Sequence, residues 1–140
     1  MYVLVTGGAG YIGCHTVRAL QKYNFKVVVL DNLVYGHKEI VEKNLNVPLI
    51  IGNIGDQKLI KKILSGQHPK THGEKVFAII HFAAFAYVGE SVSNPLKYYV
   101  NNVMQSISLF EVVIKESHKR EKDKSSNKIP IVFSSSCATY

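Results

Sequence analysis

Apolar and polar positions alternate in blocks along this chain. Tyr2-Val3-Leu4-Val5, Lys26-Val27-Val28-Val29-Leu30, Pro48-Leu49-Ile50-Ile51-Gly52, Val76-Phe77-Ala78-Ile79-Ile80-His81 and Ile129-Pro130-Ile131-Val132-Phe133 are short, nearly unbroken hydrophobic runs. Runs of this length, rich in β-branched residues, predict strands buried on both faces. Helical patterns lie between them. Residues 36–44 predict a short helix, and Asp56 is placed to cap a second over residues 57–64, with Leu59, Ile60, Ile63 and Leu64 on one face. A long helix is predicted over residues 95–117, carrying Val100, Val103, Met104, Ile107, Leu109, Phe110, Val113 and Ile114. The polar residues 65–73 read as a loop. Strands alternating with helices predict an α/β fold, a doubly wound parallel sheet of five strands, because right-handed crossovers place helices on both faces.

The first strand runs directly into Thr6-Gly7-Gly8-Ala9-Gly10-Tyr11-Ile12-Gly13, and an amphipathic segment follows. Glycines between a strand and a helix are the context of a dinucleotide-binding turn. Gly7 and Gly10 are expected to let the backbone turn and approach a pyrophosphate, and Gly13 to let the helix pack closely on the sheet. The phosphates would then lie over the free N–H groups at the helix start. Asp31 follows at the tip of the second strand, eighteen residues beyond Gly13. A carboxylate there is placed for the adenosine ribose hydroxyls and would repel a 2′-phosphate, which favours NAD over NADP. The plainer reading of Asp31 is a turn cap before Asn32.

With 140 residues, 46% of them hydrophobic, the chain is long enough for one globular unit, a dinucleotide-binding domain over residues 1–140. No apolar run approaches the roughly twenty residues of a membrane span. The apolar start reads as the first strand rather than a leader peptide. Cys14 and Cys137 have no metal-ligand spacing and are expected to be reduced thiols of a cytoplasmic protein, Cys14 as a packing residue. The net charge of +7 raises nucleic acid as a partner, yet residues 115–128 hold six basic and three acidic residues without one aromatic. That stretch reads as a solvated helix end and connector rather than a nucleic-acid surface. His68 and His72 fall in a loop with no third ligand near, so no metal is expected. His81, ending an apolar strand, reads as a hydrogen-bonded structural residue, and His15 has no evident partner.

Ligands of such sheets gather at the carboxyl ends of the strands. There this chain carries Asn53-Ile54, then His81-Phe82-Ala83-Ala84-Phe85-Ala86-Tyr87-Val88-Gly89-Glu90-Ser91, then Ser134-Ser135-Ser136-Cys137-Ala138-Thr139-Tyr140. Together with Leu30-Asp31-Asn32-Leu33 and Tyr98-Tyr99-Val100-Asn101-Asn102, these blocks resemble the UDP-glucose 4-epimerases of the extended short-chain dehydrogenase/reductase superfamily. The sugar-nucleotide dehydratases share the glycine turn but carry a Thr-Asp-Glu string where this chain reads Ser136-Cys137-Ala138. The resemblance implies that Tyr11 and Ile12 flank a pyrophosphate through their backbone and that Asp31 and Asn32 hold the ribose. It implies that Asn53 and Ile54 meet the adenine, that Phe82, Ala83, Ala84 and Phe85 line the cofactor, and that Asn101 helps to fix it. Ser136 is similar to the serine that hydrogen-bonds the reacting sugar hydroxyl. In that family NAD removes hydride from the sugar's fourth carbon and returns it to the other face, while a tyrosinate takes the hydroxyl proton. UDP-sugars are the implied substrates, and pairing of two copies through the long helix is implied as well.

Two positions depart from the family pattern. Asn53 stands where an acidic residue is usual, leaving an uncharged acceptor for adenine. The Tyr-x-x-x-Lys pair is missing: Tyr87, Tyr98 and Tyr99 have no lysine four residues on, and Tyr140 ends the chain. The 140 residues are therefore expected to be an inactive N-terminal portion with an exposed fifth strand, the alternative being a non-catalytic NAD-binding module.

Overall fold

The computed structural model describes residues 1–124 and 128–135. Ser136, Cys137 and Tyr140 lie outside the described residues, as do residues 125–127 of the basic stretch. Five strands form one sheet: β1 (Tyr2–Thr6), β2 (Lys26–Asp31), β3 (Leu49–Ile51), β4 (Val76–His81) and β5 (Ile131–Phe133). Their order is β3-β2-β1-β4-β5, and every pairing is parallel. This is the expected doubly wound fold. The chain moves outward from β1 to β3 and then crosses back to β4, so strand order reverses between β1 and β4. Thr6 and His81 stand in register there, at the carboxyl ends of both strands.

Alternation along the strands sorts the core into two layers. On one face Leu4, Val28, Leu30 and Ile50 pack with Ile60, Ile63 and Leu64 of helix α2 (Gln57–Leu64), and with Leu109, Val112 and Val113 of helix α5 (Gln105–Lys122). On the other, Val3, Val5, Val27 and Val29 meet Val17 of helix α1 (Tyr11–Lys22) and Val41 and Leu45 of a π-helical segment, Ile40–Leu45. Asp56 caps α2 as expected, accepting from the Leu59 N–H at 3.0 Å. None of the helices among the described residues is long and apolar enough to cross a membrane.

Several boundaries differ from the sequence expectation for definite reasons. The helix expected over residues 36–44 is displaced towards the C-terminus, because the His37 N–H donates to Ala9 O at 3.0 Å and ties that stretch to the glycine turn. β5 starts at Ile131 rather than Ile129; Pro130 has no N–H, although its carbonyl accepts from Ile79. Residues 88–93 form an unpredicted helix, α3 (Val88–Ser93), which buries no residue and so has no periodicity to read. Helix α4 (Pro95–Tyr98) passes through a π turn, Tyr99–Met104, into α5, which runs on to Lys122.

The extension past Ser117 overturns the reading of residues 115–128 as wholly solvated. Arg120 is 2% exposed and Glu116 7%, and the guanidinium Nε donates to Glu116 Oε1 at 3.2 Å. The apolar face expected of the long helix is also divided: Leu109 and Val113 are buried, whereas Val100, Val103, Met104, Ile107 and Ile114 are exposed.

Candidate functional site

The carboxyl ends of β1, β2, β3 and β4 surround a cleft that is partly open to solvent. Its floor is the glycine turn. Gly7 has φ +71°, and a Cβ there would lie 2.7 Å from the Ala83 nitrogen. Only glycine permits both the left-handed backbone and that approach of the β4 loop. Gly13 carries its expected packing role, since a Cβ on it would collide with Gly7 O and the Gly8 Cα. Gly10 differs from expectation. Its φ is −82°, and a Cβ would only touch Gly7 O at 3.4 Å, so the turn itself does not require glycine. What Gly10 leaves is open space facing the cleft.

α1 starts immediately behind this turn with no side-chain cap and no acidic residue in its first turn. Its leading N–H groups therefore have no partner from a cap, and they carry the positive end of the helix dipole. Tyr11 and Ile12 have exposed side chains that do not line the cleft, so what they can offer it is backbone N–H. The Tyr11 ring packs edge-on against His15 at 4.8 Å, the partner that the sequence left unidentified. The Cys14 thiol donates to Tyr11 O at 3.1 Å and packs against the core layer beneath, as a packing residue should.

Asp31 lines the cleft and is nearly buried. Its carboxylate makes the turn-cap contacts. Oδ2 accepts from the Ala9 N–H at 3.0 Å, and Oδ1 accepts from the Leu33 N–H at 2.8 Å. Asp31 is thus a turn cap that also clamps the glycine turn to the end of β2. Leu33 adopts φ +60°, a conformation disfavoured for a branched side chain, and the Asp31 cap holds it there. Asn32 and Asn53 both line the cleft and are joined, the Asn32 amide donating to Asn53 Oδ1 at 3.0 Å. The acceptor expected to be free for a base is therefore already engaged once. Ile54 is buried beside it.

Phe82, Ala83, Ala84 and Phe85 form the opposite wall, and Asn101 closes the side nearest α5. Asn102, not expected from the sequence as a site residue, fixes this wall. Its Oδ1 accepts from the Phe85 N–H at 2.8 Å while its amide donates to Phe85 O at 2.9 Å. Tyr35, Gly36, Gly52 and Gln105 complete the lining and were not foreseen. Gln105 had a legible signal, because it follows Asn101 by four residues along the same helix.

At the rim, Glu90 gathers three donors: Lys97 Nζ, with Tyr35 OH and Tyr98 OH each at 2.7 Å. Lys97 also lies over the Phe85 ring at 4.9 Å. Those hydrogen bonds, Lys97 first, hold the Glu90 carboxyl down at about 2. Burial, followed by Glu90, pushes the Tyr98 hydroxyl up to about 12, so Tyr98 is protonated at neutral pH and is no general base. Among the described residues no three His, Cys, Asp or Glu side chains are grouped to hold a metal ion.

His81 is the structural residue expected of it. Its Nδ1 is 2.6 Å from Thr6 Oγ1 and its Nε2 3.0 Å from Ser106 Oγ, so one ring nitrogen donates and the other accepts. Burial lowers its pKa from 6.5 to about 4. Between those values the unfolded chain binds a proton that the folded chain does not, so stability falls as pH drops through the window and levels off below it. The loss is expected to reach about 3 kcal/mol. Urea denaturation across that range measures it, and His81→Gln should flatten the profile; an unchanged profile in the variant would assign the slope elsewhere. Glu74 and Glu90, both held at about 2, lose their contribution only as pH falls further, from 4.5 downward.

A family model described as the NAD dependent epimerase/dehydratase family matches residues 3–140. The UDP-glucose 4-epimerase of Lactobacillus helveticus is 44% identical over 140 residues, which cover 100% of this chain and 37% of that protein. The probable UDP-arabinose 4-epimerase 3 of Oryza sativa subsp. japonica is 37% identical over 147 residues, covering 99% of this chain and 32% of the relative. Among solved structures, the UDP-glucose 4-epimerase of Brucella ovis in complex with NAD is 40% identical with a TM-score of 0.73, and the match covers 99% of this chain and 37% of that one. The UDP-glucose 4-epimerase of Bifidobacterium longum in complex with NAD+ and UDP is 31% identical with a TM-score of 0.76, covering 100% and 38%. The chain thus spans 37% of the length of the first of these relatives. With the glycine turn, the Asp31 clamp and the strand reversal all placed at one cleft, the chain belongs to the NAD dependent epimerase/dehydratase family.

Proposed function

We propose that the cleft binds NAD and that these 140 residues are the cofactor half of a nucleotide-sugar 4-epimerase that interconverts UDP-glucose and UDP-galactose. The observation that carries this reading is the joint between the two halves of the fingerprint, Asp31 Oδ2 on the Ala9 N–H of the glycine turn. It puts a carboxylate and an uncapped helix start at one strand-order reversal. The residues fit the group. Gly10 leaves open space facing the cleft, the α1 N–H groups lack a cap, and Gln105 Oε1 is buried without a partner.

When bound, NAD supplies reversible hydride removal and return at the sugar's fourth carbon. The chain's own residues bind and orient. The glycine turn and the backbone of Tyr11 and Ile12 take the pyrophosphate. Asp31 and Asn32 take the ribose, Asn53 and Ile54 border the adenine, and Phe82 to Phe85 with Asn101 hold the remainder. Ser136 is assigned to the substrate hydroxyl. A base for that hydroxyl is not among Tyr87, Tyr98 and Tyr99, none of which has a lysine four residues on. The exposed Val103, Ile107 and Ile114 along the long helix suit pairing with a second copy.

Calorimetry with NAD+ and an assay of UDP-glucose and UDP-galactose interconversion test the reading together. The 140-residue chain should bind NAD+ and show no turnover, and a longer reading frame carrying Tyr-x-x-x-Lys should show both. Binding without turnover in every natural form would favour the second reading, a non-catalytic NAD module. That reading draws on His81 and Tyr98, which near the cleft are locked as neutral hydrogen-bonding groups. Absence of NAD+ binding in the longer form would defeat both.

A further inference from the structure

One polar atom at the cleft is out of balance. Gln105 Oε1 is buried and accepts no hydrogen bond. An amide oxygen shut away from water without a donor is destabilising, and the protein's own contacts do not offset it. Two side-chain amides of the lining already donate elsewhere, Asn32 to Asn53 Oδ1 and Asn101 to Asn102 Oδ1. Gln105 borders both the main cleft and a second, shallow groove beside it. It also rests on the loop after β3, since a Cβ on Gly55 would come within 2.9 Å of Gln105 Cγ. The same loop carries Asn53 and Ile54, with Leu30 as an apolar wall. A flat ring with one exocyclic donor fits such surroundings: apolar faces for the ring, and a waiting acceptor at its edge.

Resting on the reading of the cleft as an NAD site, we propose that Gln105 Oε1 accepts a hydrogen bond from the adenine amino group and thereby sets base preference. Gln105 is then a specificity-determining residue contributed by the long helix. The consequence is selective: the contact matters for a base with an amino group and is indifferent to one without it.

The probes are NAD+ and the corresponding dinucleotide in which hydrogen replaces the adenine amino group, titrated by calorimetry into the full natural chain that carries these residues. The wild type should prefer NAD+ by about three- to tenfold. Gln105→Met, which keeps the length and removes the amide, should weaken NAD+ by that factor, leave the analogue unchanged and so erase the preference. Gln105→Glu keeps an acceptor and should keep the preference, which preserves the test if the methionine variant does not fold. Equal affinities in the wild type, or a preference that survives Gln105→Met, would overturn the assignment while leaving the NAD reading intact. If neither dinucleotide binds the wild type, the NAD reading itself fails and the assignment falls with it.

Discussion

Arg120→Ala is expected to destabilise the fold by about 3–5 kcal/mol, the range for removing one partner of a buried ion pair. The guanidinium makes three bonds into three elements. Nη1 donates to Val76 O and Nη2 to Leu64 O, each at 2.6 Å, and Nε reaches Glu116. Leu64 is the last residue of α2, where a helix leaves carbonyls without intrahelical donors, and Val76 is the first residue of β4. One planar fork thus joins the end of a helix, the start of a strand and the body of α5. Alanine leaves two buried carbonyls and a buried carboxylate unpaired. Arg120→Lys should recover only part of the loss, because a single ammonium on a flexible stem does not present the same fixed fork. Replacing both charges, Glu116→Leu with Arg120→Met, should be milder than Arg120→Ala, since it removes the stranded carboxylate together with its partner. Urea denaturation of the four proteins decides the matter. A cost for Arg120→Ala below about 1 kcal/mol would place the pair with ordinary surface ion pairs instead.

The same arginine marks the limit of what could be read in the sequence. Residues 115–128 have the composition of a solvated connector, and composition is blind to partners 44 and 56 residues away in the chain. Local pattern succeeded where the physics is local. Short unbroken apolar runs marked the strands, Asp56 a helix start, and the strand–glycine–helix context located the cleft. Most of its lining followed from the strand ends. Missed residues entered from elements whose position depends on tertiary packing: Tyr35 and Gly36 through the His37 tie to Ala9, and Gln105 through the helix that crosses above the β3 loop. The exposed Val100, Ile107 and Ile114 teach the complementary lesson, that an apolar helical face does not say which part of it this sheet covers. For Asp31 the sequence supports two readings, cofactor ligand and turn cap. The structure makes the cap a fact, and a carboxylate has lone pairs enough to serve both.

The proposed dual role makes Asp31 the position where binding and local folding should fail together. Asp31→Ala removes the acceptor for two backbone N–H groups, Ala9 and Leu33, and frees Leu33 from its φ of +60°. The glycine turn then loses its tie to β2, and on the proposed reading the site loses its ribose ligand. The expected result is a fall in NAD+ affinity of about a hundredfold, corresponding to one or two charge-assisted hydrogen bonds, with a lowered melting temperature. Asp31→Asn separates the contributions. Its single oxygen can keep one backbone contact, so the melting temperature should recover in part. The charge that repels a 2′-phosphate is gone, so affinity for NADP+ should rise towards that for NAD+. Calorimetry with both dinucleotides and a thermal melt of each variant read these outcomes independently. If Asp31→Asn binds NAD+ like the wild type and still rejects NADP+, the carboxylate does not meet the ribose, and its whole contribution is the clamp on Ala9 and Leu33. If the melt is unchanged in Asp31→Ala, the clamp is dispensable, and any lost affinity reports the ligand contact alone.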